Sequence, residues 1–192
     1  KLVNDLNEYI DEVIENRKKS NELNYGNKLA GDVTQEFKLE ESIVKKIGWL
    51  NFLGKCTHAW IQNATNKKIT KFNIIESWVV RQFQNEYNPV HYHSGHISGA
   101  GFLKVPDSLG DFSQDKEKSG KHYPGGNLNL IHGSRMFLSE SSIFIKPKVG
   151  DFYFFPHYLM HSVYPFKGTT EERRSISFNA YIDEDIFDVF KD

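Results

Sequence analysis

The chain has 192 residues and a formal net charge of −1, with 24 Lys and Arg set against 25 Asp and Glu. That length supports one domain with a substantial core and argues against two, and the even charge balance offers no basic stripe to a nucleic-acid duplex. Cys56 is the lone cysteine, which excludes an internal disulfide and suits a reducing, cytoplasmic setting. No apolar run reaches membrane-spanning length, and the first residues lack the apolar core of a signal, so no membrane partner is expected.

Leu2, Leu6, Ile10, Val13 and Ile14 recur at helical spacing with acids between them, which predicts an amphipathic helix on the outside of the domain. Asn27 to Phe37 reads as an irregular crossing segment. A second helical pattern runs from Leu39 to Asn66 through Ile43, Val44, Ile47, Leu50, Leu53 and Trp60, interrupted by Gly48 and Gly54. From residue 72 onward the pattern changes to short apolar runs, rich in Phe and Tyr and bounded by turn residues. Strands are expected near Glu76–Asn85, Ser98–Lys104, Gly126–Ile131, Ile143–Pro147, Asp151–Phe155, Ser162–Tyr164 and Arg173–Ile182. The expected fold class is mainly β with N-terminal helices (α+β). Within a single domain of 1–192, residues 1–71 form a mainly helical buttress and 72–187 a sandwich or jelly-roll core. Asp107 to Gly125 is a long polar connection, expected to be a lid over a site or a disordered loop.

Chemistry concentrates in the histidines. Three of the eight, His91, His93 and His96, fall within six positions, and His161 lies on a later strand-like run. Imidazole is a common ligand for iron, zinc, copper and nickel. On an extended backbone, residues two apart share a face, so His91 and His93 can reach one ion. A lone histidine there would read as a surface group; three together just before a β-run favour a metal. His132 and His157, each beside a turn, read as solvated. His122 and Tyr123 sit in the polar insertion within reach of a substrate, and Trp78, Phe83 and Tyr87 read as core or rim aromatics.

His91-x-His93 is followed in order by Ser94-Gly95 opening a strand, then Gly150-Asp151 with an aromatic run to Phe155-Pro156. His161-Ser162-Val163 comes next, and last Arg173-x-Ser175-Ile176-Ser177-Phe178-Asn179. This order resembles the iron(II)/2-oxoglutarate-dependent oxygenase superfamily, nearest its small bacterial and phage members, between Asn73 and Ile182. The resemblance implies a double-stranded β-helix (a cupin-like jelly roll) with Fe(II) at its open end, 2-oxoglutarate as co-substrate, and dioxygen. It implies a dioxygenase, a hydroxylase that couples 2-oxoglutarate decarboxylation to oxidation of a C–H bond in a small-molecule or peptide substrate. His91 and His161 match the positions of two histidine ligands. Arg173 and Ser175 match the pair that binds the distal carboxylate of 2-oxoglutarate, a task that suits a planar guanidinium. If Arg173 to Asn179 is extended, Arg173, Ser175, Ser177 and Asn179 share the face toward the barrel mouth, and Arg174, left as a surface ion pair, points the other way. A one-residue register change exchanges the two arginines.

The chain departs from the common pattern at His93, where most members carry Asp or Glu. Three solutions stay open. His91, His93 and His161 form a three-histidine centre, which strand spacing favours; or His93 is the first ligand, with His96 or a remote carboxylate such as Asp111; or only two protein ligands are used. Two other functions compete: a three-histidine cupin-like metalloenzyme that ignores 2-oxoglutarate, and a non-catalytic jelly-roll binding module. No residue pattern specifies an oligomeric state.

Overall fold

The computed structural model of the protein describes residues 1–109, 125–134 and 136–188. Helices α1 (Leu2–Glu15) and α2 (Arg17–Glu22) lead through a 3-10 turn (Gly26–Lys28) into β1 (Gln35–Lys38). Helices α3 (Glu41–Lys46) and α4 (Trp49–Thr65) precede β2 (Phe72–Gln82), β3 (Asn88–His91) and β4 (Ile97–Lys104). After them come β5 (Leu128–Ile131), β6 (Ser142–Ile145), β7 (Phe152–Pro156), β8 (Met160–Val163), β9 (Arg173–Ile182) and a short α5 (Glu184–Phe187).

The strands form two sheets, ordered β1-β2-β9-β4-β7 and β3-β8-β5-β6, with every pairing antiparallel. This is the double-stranded β-helix expected. Its larger sheet works on both faces because side chains alternate along each strand. On the outer face, Phe37, Val79, Ile176 and Phe178 join Leu6, Ile10, Val13, Trp49 and Leu53 of the helices in one buried core. Trp49 holds this layer in place. It packs on Phe152 and Phe178, and its indole N–H donates to Ser77 Oγ at 2.9 Å. The inner face carries Glu36, Trp78, Val80, Ser175 and Ser177, and it looks onto a cavity shared with the smaller sheet.

Several local expectations change. The segment read as irregular ends in a strand, β1, because Phe37 and Glu36 alternate between core and cavity at the edge of the large sheet. The pattern from Leu39 to Asn66 is two helices, broken at Gly48, whose φ of 85° starts α4. Gly54 does not interrupt α4. Arg174 is not a surface group but is almost fully buried. Its guanidinium donates to Asp11 at 2.7 Å, to Asn7 at 2.9 Å and to Glu172 at 2.8 Å, tying β9 to α1. Asp111, His122, Tyr123 and most of the polar connection from Asp107 to Gly125 lie outside the described residues.

Candidate metal centre

Strands β3 and β8 are neighbours, and their register sets His91 directly opposite His161. The two rings lie 4.3 Å apart between centroids. Each is held from behind in the same way. His91 Nδ1–H donates to Pro89 O at 2.7 Å, and His161 Nδ1–H donates to Leu159 O at 2.9 Å. A carbonyl can only accept, so the proton sits on Nδ1 and the Nε2 lone pair is left for a ligand.

His93 arrives by another route. Strand β3 ends at His91, so a shared strand face is not what brings His93 in; the turn after the strand does so. His93 N–H donates to His157 O at 3.0 Å, while the His157 ring Nδ1–H donates back to His93 O at 2.9 Å. His157 N–H also donates to His96 O at 3.1 Å, so β7 closes over the turn. Gly95 lets the chain pass: its φ is 91°, and a Cβ there would sit 3.0 Å from Ala180 O. One ligand atom each from His91, His93 and His161 then falls within 4.8 Å of the others. His93 Nε2 and His161 Nε2 are 3.0 Å apart. Trp78 packs 5.3 Å from the His93 ring and Phe155 5.0 Å from the His161 ring, which walls the cluster with apolar surface.

Burial, then the other imidazoles, pushes His93 down to about 3. The same causes push His161 down to about 4, and burial lowers His91 as well. All three are therefore neutral near pH 7, the state in which imidazole binds a metal. Three convergent, neutral imidazoles fit a divalent iron. Among the described residues no carboxylate joins this group. His96 does not belong to it. It is buried under the end of β9, where Nδ1 accepts from Ile182 N–H at 3.2 Å and the ring stacks on Phe187 at 4.1 Å.

His157 was read from its turn as a solvated bystander, yet it is what fixes the His93 carbonyl. His157→Ala is expected to weaken Co(II) binding by roughly 10- to 100-fold, whereas His157→Asn, which keeps a donor near Nδ1, stays close to wild type. A visible-band titration with Co(II) checks both; equal affinities in all three proteins would remove His157 from the site.

Arg173 lies on the same cavity and is 1% exposed. Its Nε–H donates to Gly126 O at 2.9 Å and its Nη1–H reaches Ser175 Oγ at 3.5 Å. The guanidinium lies over the Phe102 ring at 5.2 Å. Burial lowers it only to about 10, so it stays cationic at neutral pH. Among the described residues it has no carboxylate partner, in contrast to Arg174. The alternation along β9 is as expected: Arg173, Ser175 and Ser177 line the cavity, while Ile176 and Phe178 enter the core.

Sequence reading also missed Glu36, a carboxylate on the cavity wall that is 4% exposed. Burial raises it from 4.5 to about 7. A raised carboxyl adds stability below its unfolded value of 4.5, and that stability is lost as pH rises through about 7. Glu36→Gln is therefore expected to stabilise the ligand-free protein at pH 8, by on the order of 2 kcal/mol, and to change little at pH 4. Denaturant unfolding at the two pH values reads this out. A variant less stable at pH 8 would mean that the carboxylate already has a partner.

Comparison with known proteins agrees with the geometry. A family model described as "Putative 2OG-Fe(II) oxygenase" matches residues 76–179, a span that holds His91, His93, His161, Arg173 and Ser175. Among solved structures, a prolyl-4-hydroxylase of Pseudomonas putida superposes with a TM-score of 0.56 at 14% identity, covering 92% of this chain and 86% of that one. A prolyl 4-hydroxylase of Phytophthora capsici gives 0.55 at 15% identity, over 93% of this chain and 54% of the other. A Burkholderia pseudomallei oxidoreductase of the 2OG-Fe(II) oxygenase family gives 0.48 at 15% identity, over 73% of this chain and 55% of that chain. The chain thus spans only about half the length of the Burkholderia and Phytophthora proteins. At these identities the likeness is one of fold. No curated protein matches the sequence. The family match covers more than half of the 192 residues and every part of the cluster, so the chain belongs to the 2OG-Fe(II) oxygenase family, oxidoreductases that take Fe(II), 2-oxoglutarate and dioxygen.

Proposed function

We propose that this protein is a hydroxylase whose iron is held by His91, His93 and His161, and whose 2-oxoglutarate is gripped by Arg173 with Ser175. The observation that carries the reading is a pairing of opposites on one cavity: three neutral imidazoles converging on a point, and a buried guanidinium with no counter-ion among the described residues. Bound iron, with 2-oxoglutarate and dioxygen, supplies the oxidation that hydroxylates a C–H bond and leaves succinate and carbon dioxide.

The chain's own residues hold and exclude. The carbonyls of Pro89 and Leu159 fix the tautomers of His91 and His161, and His157 fixes the turn that carries His93. Arg173 presents its remaining N–H groups to a carboxylate, oriented by Gly126 O and backed by Phe102. Trp78, Phe155 and Phe102 keep water from the reacting face. The helical segment 1–71 acts as a buttress to the β core 72–187 within one domain, supported by the single buried core that joins α1 and α4 to the large sheet. The substrate class is a small molecule or peptide. The single cysteine suits a reducing compartment such as the cytoplasm, and no helix among the described residues is long and apolar enough to cross a membrane.

Anaerobic addition of 2-oxoglutarate to the ferrous protein is expected to give a visible charge-transfer band, and admission of air is expected to give succinate. A three-histidine metalloenzyme that ignores 2-oxoglutarate would bind iron and show neither. A binding module would retain no stoichiometric iron after purification without a histidine tag.

A further inference from the structure

Glu36 sits on the wall of the proposed active-site cavity. It is 96% buried by its 4% exposure, and among the described residues its carboxylate accepts no hydrogen bond and forms no ion pair. It is the one carboxylate among the described residues lining that cavity. Lys28, a cation on the same cavity, is turned onto the Tyr25 ring at 5.5 Å instead. Register places Glu36 beside Val80 and Val80 beside Ser175, so the carboxylate is two strands, about 10 Å, from the face proposed to hold 2-oxoglutarate.

A glycine lets the chain pack closely against it. A Cβ on Gly31 would stand 2.9 Å from Glu36 Oε1 and 2.2 Å from Asn88 Oδ1, so any larger residue would displace the two acceptors. Both groups offer oxygen lone pairs to the same small volume. A carboxylate on such a wall is costly to keep ionised until a partner or a proton neutralises it. Trp78, on the neighbouring strand, lines the same cavity and packs against His93, an aromatic face that favours a cation over an anion.

Resting on the oxygenase reading above, we infer that Glu36, with Asn88 Oδ1 held beside it by the close packing of Gly31, is a substrate subsite that receives a cationic nitrogen, an ammonium or guanidinium, of the molecule to be hydroxylated. Glu36 supplies the charge, and Asn88 Oδ1 accepts a second N–H. The C–H bond to be oxidised then extends past Trp78 toward the histidines, while Arg173 is left to the co-substrate. Specificity follows from the mismatch penalty: a neutral analogue leaves the carboxylate buried without a partner.

The test uses the protein loaded with 2-oxoglutarate and Zn(II), with 13C-labelled glutamate carboxyl groups, and n-butylammonium, butan-1-ol and N-methylacetamide as probes. The Glu36 resonance, identified by its absence in Glu36→Gln, is expected to shift saturably with n-butylammonium alone. Glu36→Gln is expected to weaken that binding by about 30-fold or more, and Gly31→Val to weaken it with the carboxylate still present. Both variants should bind 2-oxoglutarate within twofold of wild type. Equal n-butylammonium binding in wild type and Glu36→Gln would overturn the inference, as would butan-1-ol or N-methylacetamide binding as tightly as the amine. Failure of wild type to bind 2-oxoglutarate would instead sink the oxygenase reading, and the amine titration would remain a separate result.

Discussion

Replacing Arg173 with alanine is expected to weaken 2-oxoglutarate binding by roughly 30- to 1,000-fold, the cost of removing one side of a buried, hydrogen-bonded charge pair. Arg173 is 1% exposed, with Nε committed to Gly126 O and, among the described residues, no acid opposite the rest of its fork. A cation in that state is unfavourable in the ligand-free protein, so its removal should not harm folding. Arg173→Met, which fills the volume without the charge, is expected to be at least as stable as wild type in denaturant and to bind no 2-oxoglutarate. Arg173→Lys keeps charge but loses the two-pronged geometry, and intermediate affinity is expected. Arg174→Ala should behave in the opposite manner: it breaks the contacts to Asp11, Asn7 and Glu172, lowering stability while sparing co-substrate affinity in the protein that remains folded. Calorimetric titration with 2-oxoglutarate beside equilibrium unfolding separates these outcomes. Unchanged affinity in Arg173→Ala would remove Arg173 from the co-substrate site.

His161→Ala is expected to abolish stoichiometric iron binding, a loss larger than the 10- to 100-fold that typically follows removal of an outer partner of a ligand. His161 is the hinge of the cluster. It faces His91 across β3 and β8, and its Nε2 is 3.0 Å from that of His93, so its removal leaves a gap on both sides. His96→Ala makes a useful contrast. That ring stacks on Phe187 and accepts from Ile182 N–H, away from the cluster, so its loss should loosen the C-terminal α5 but leave metal content near wild type. Metal analysis of the two variants, with circular dichroism to verify folding, gives the comparison. Full iron occupancy in His161→Ala would mean that the three-histidine assignment is wrong.

Much of this arrangement was legible because it rests on periodicity. The apolar positions of α1 follow a 3.6-residue repeat, and the strands of the β core announce themselves by short aromatic runs between turns. Alternation along β9 divided Arg173 from Ile176 before any coordinates, since a side chain in an extended segment has only two faces to choose from. The strands missed, β1 and β3, are four residues each and carry polar groups where a hydrophobic pattern would be sought. β1 was hidden because Glu36 occupies an inward position that usually holds an apolar residue.

The sequence by itself determined the fold class and offered the histidines, in order, as candidates for a metal, because these depend on local spacing and on the chemistry of single side chains. Only the tertiary structure decided the roles that depend on contacts between distant segments. It separated Arg173 from Arg174 by giving Asp11 and Glu172 to one of them alone. It drew His93 rather than His96 to the cluster through His157, sixty-four residues away, and left Glu36 facing the cavity without a partner among the described residues. Burial and pairing are properties of the assembled chain, and no local pattern encodes which charge will be left uncompensated.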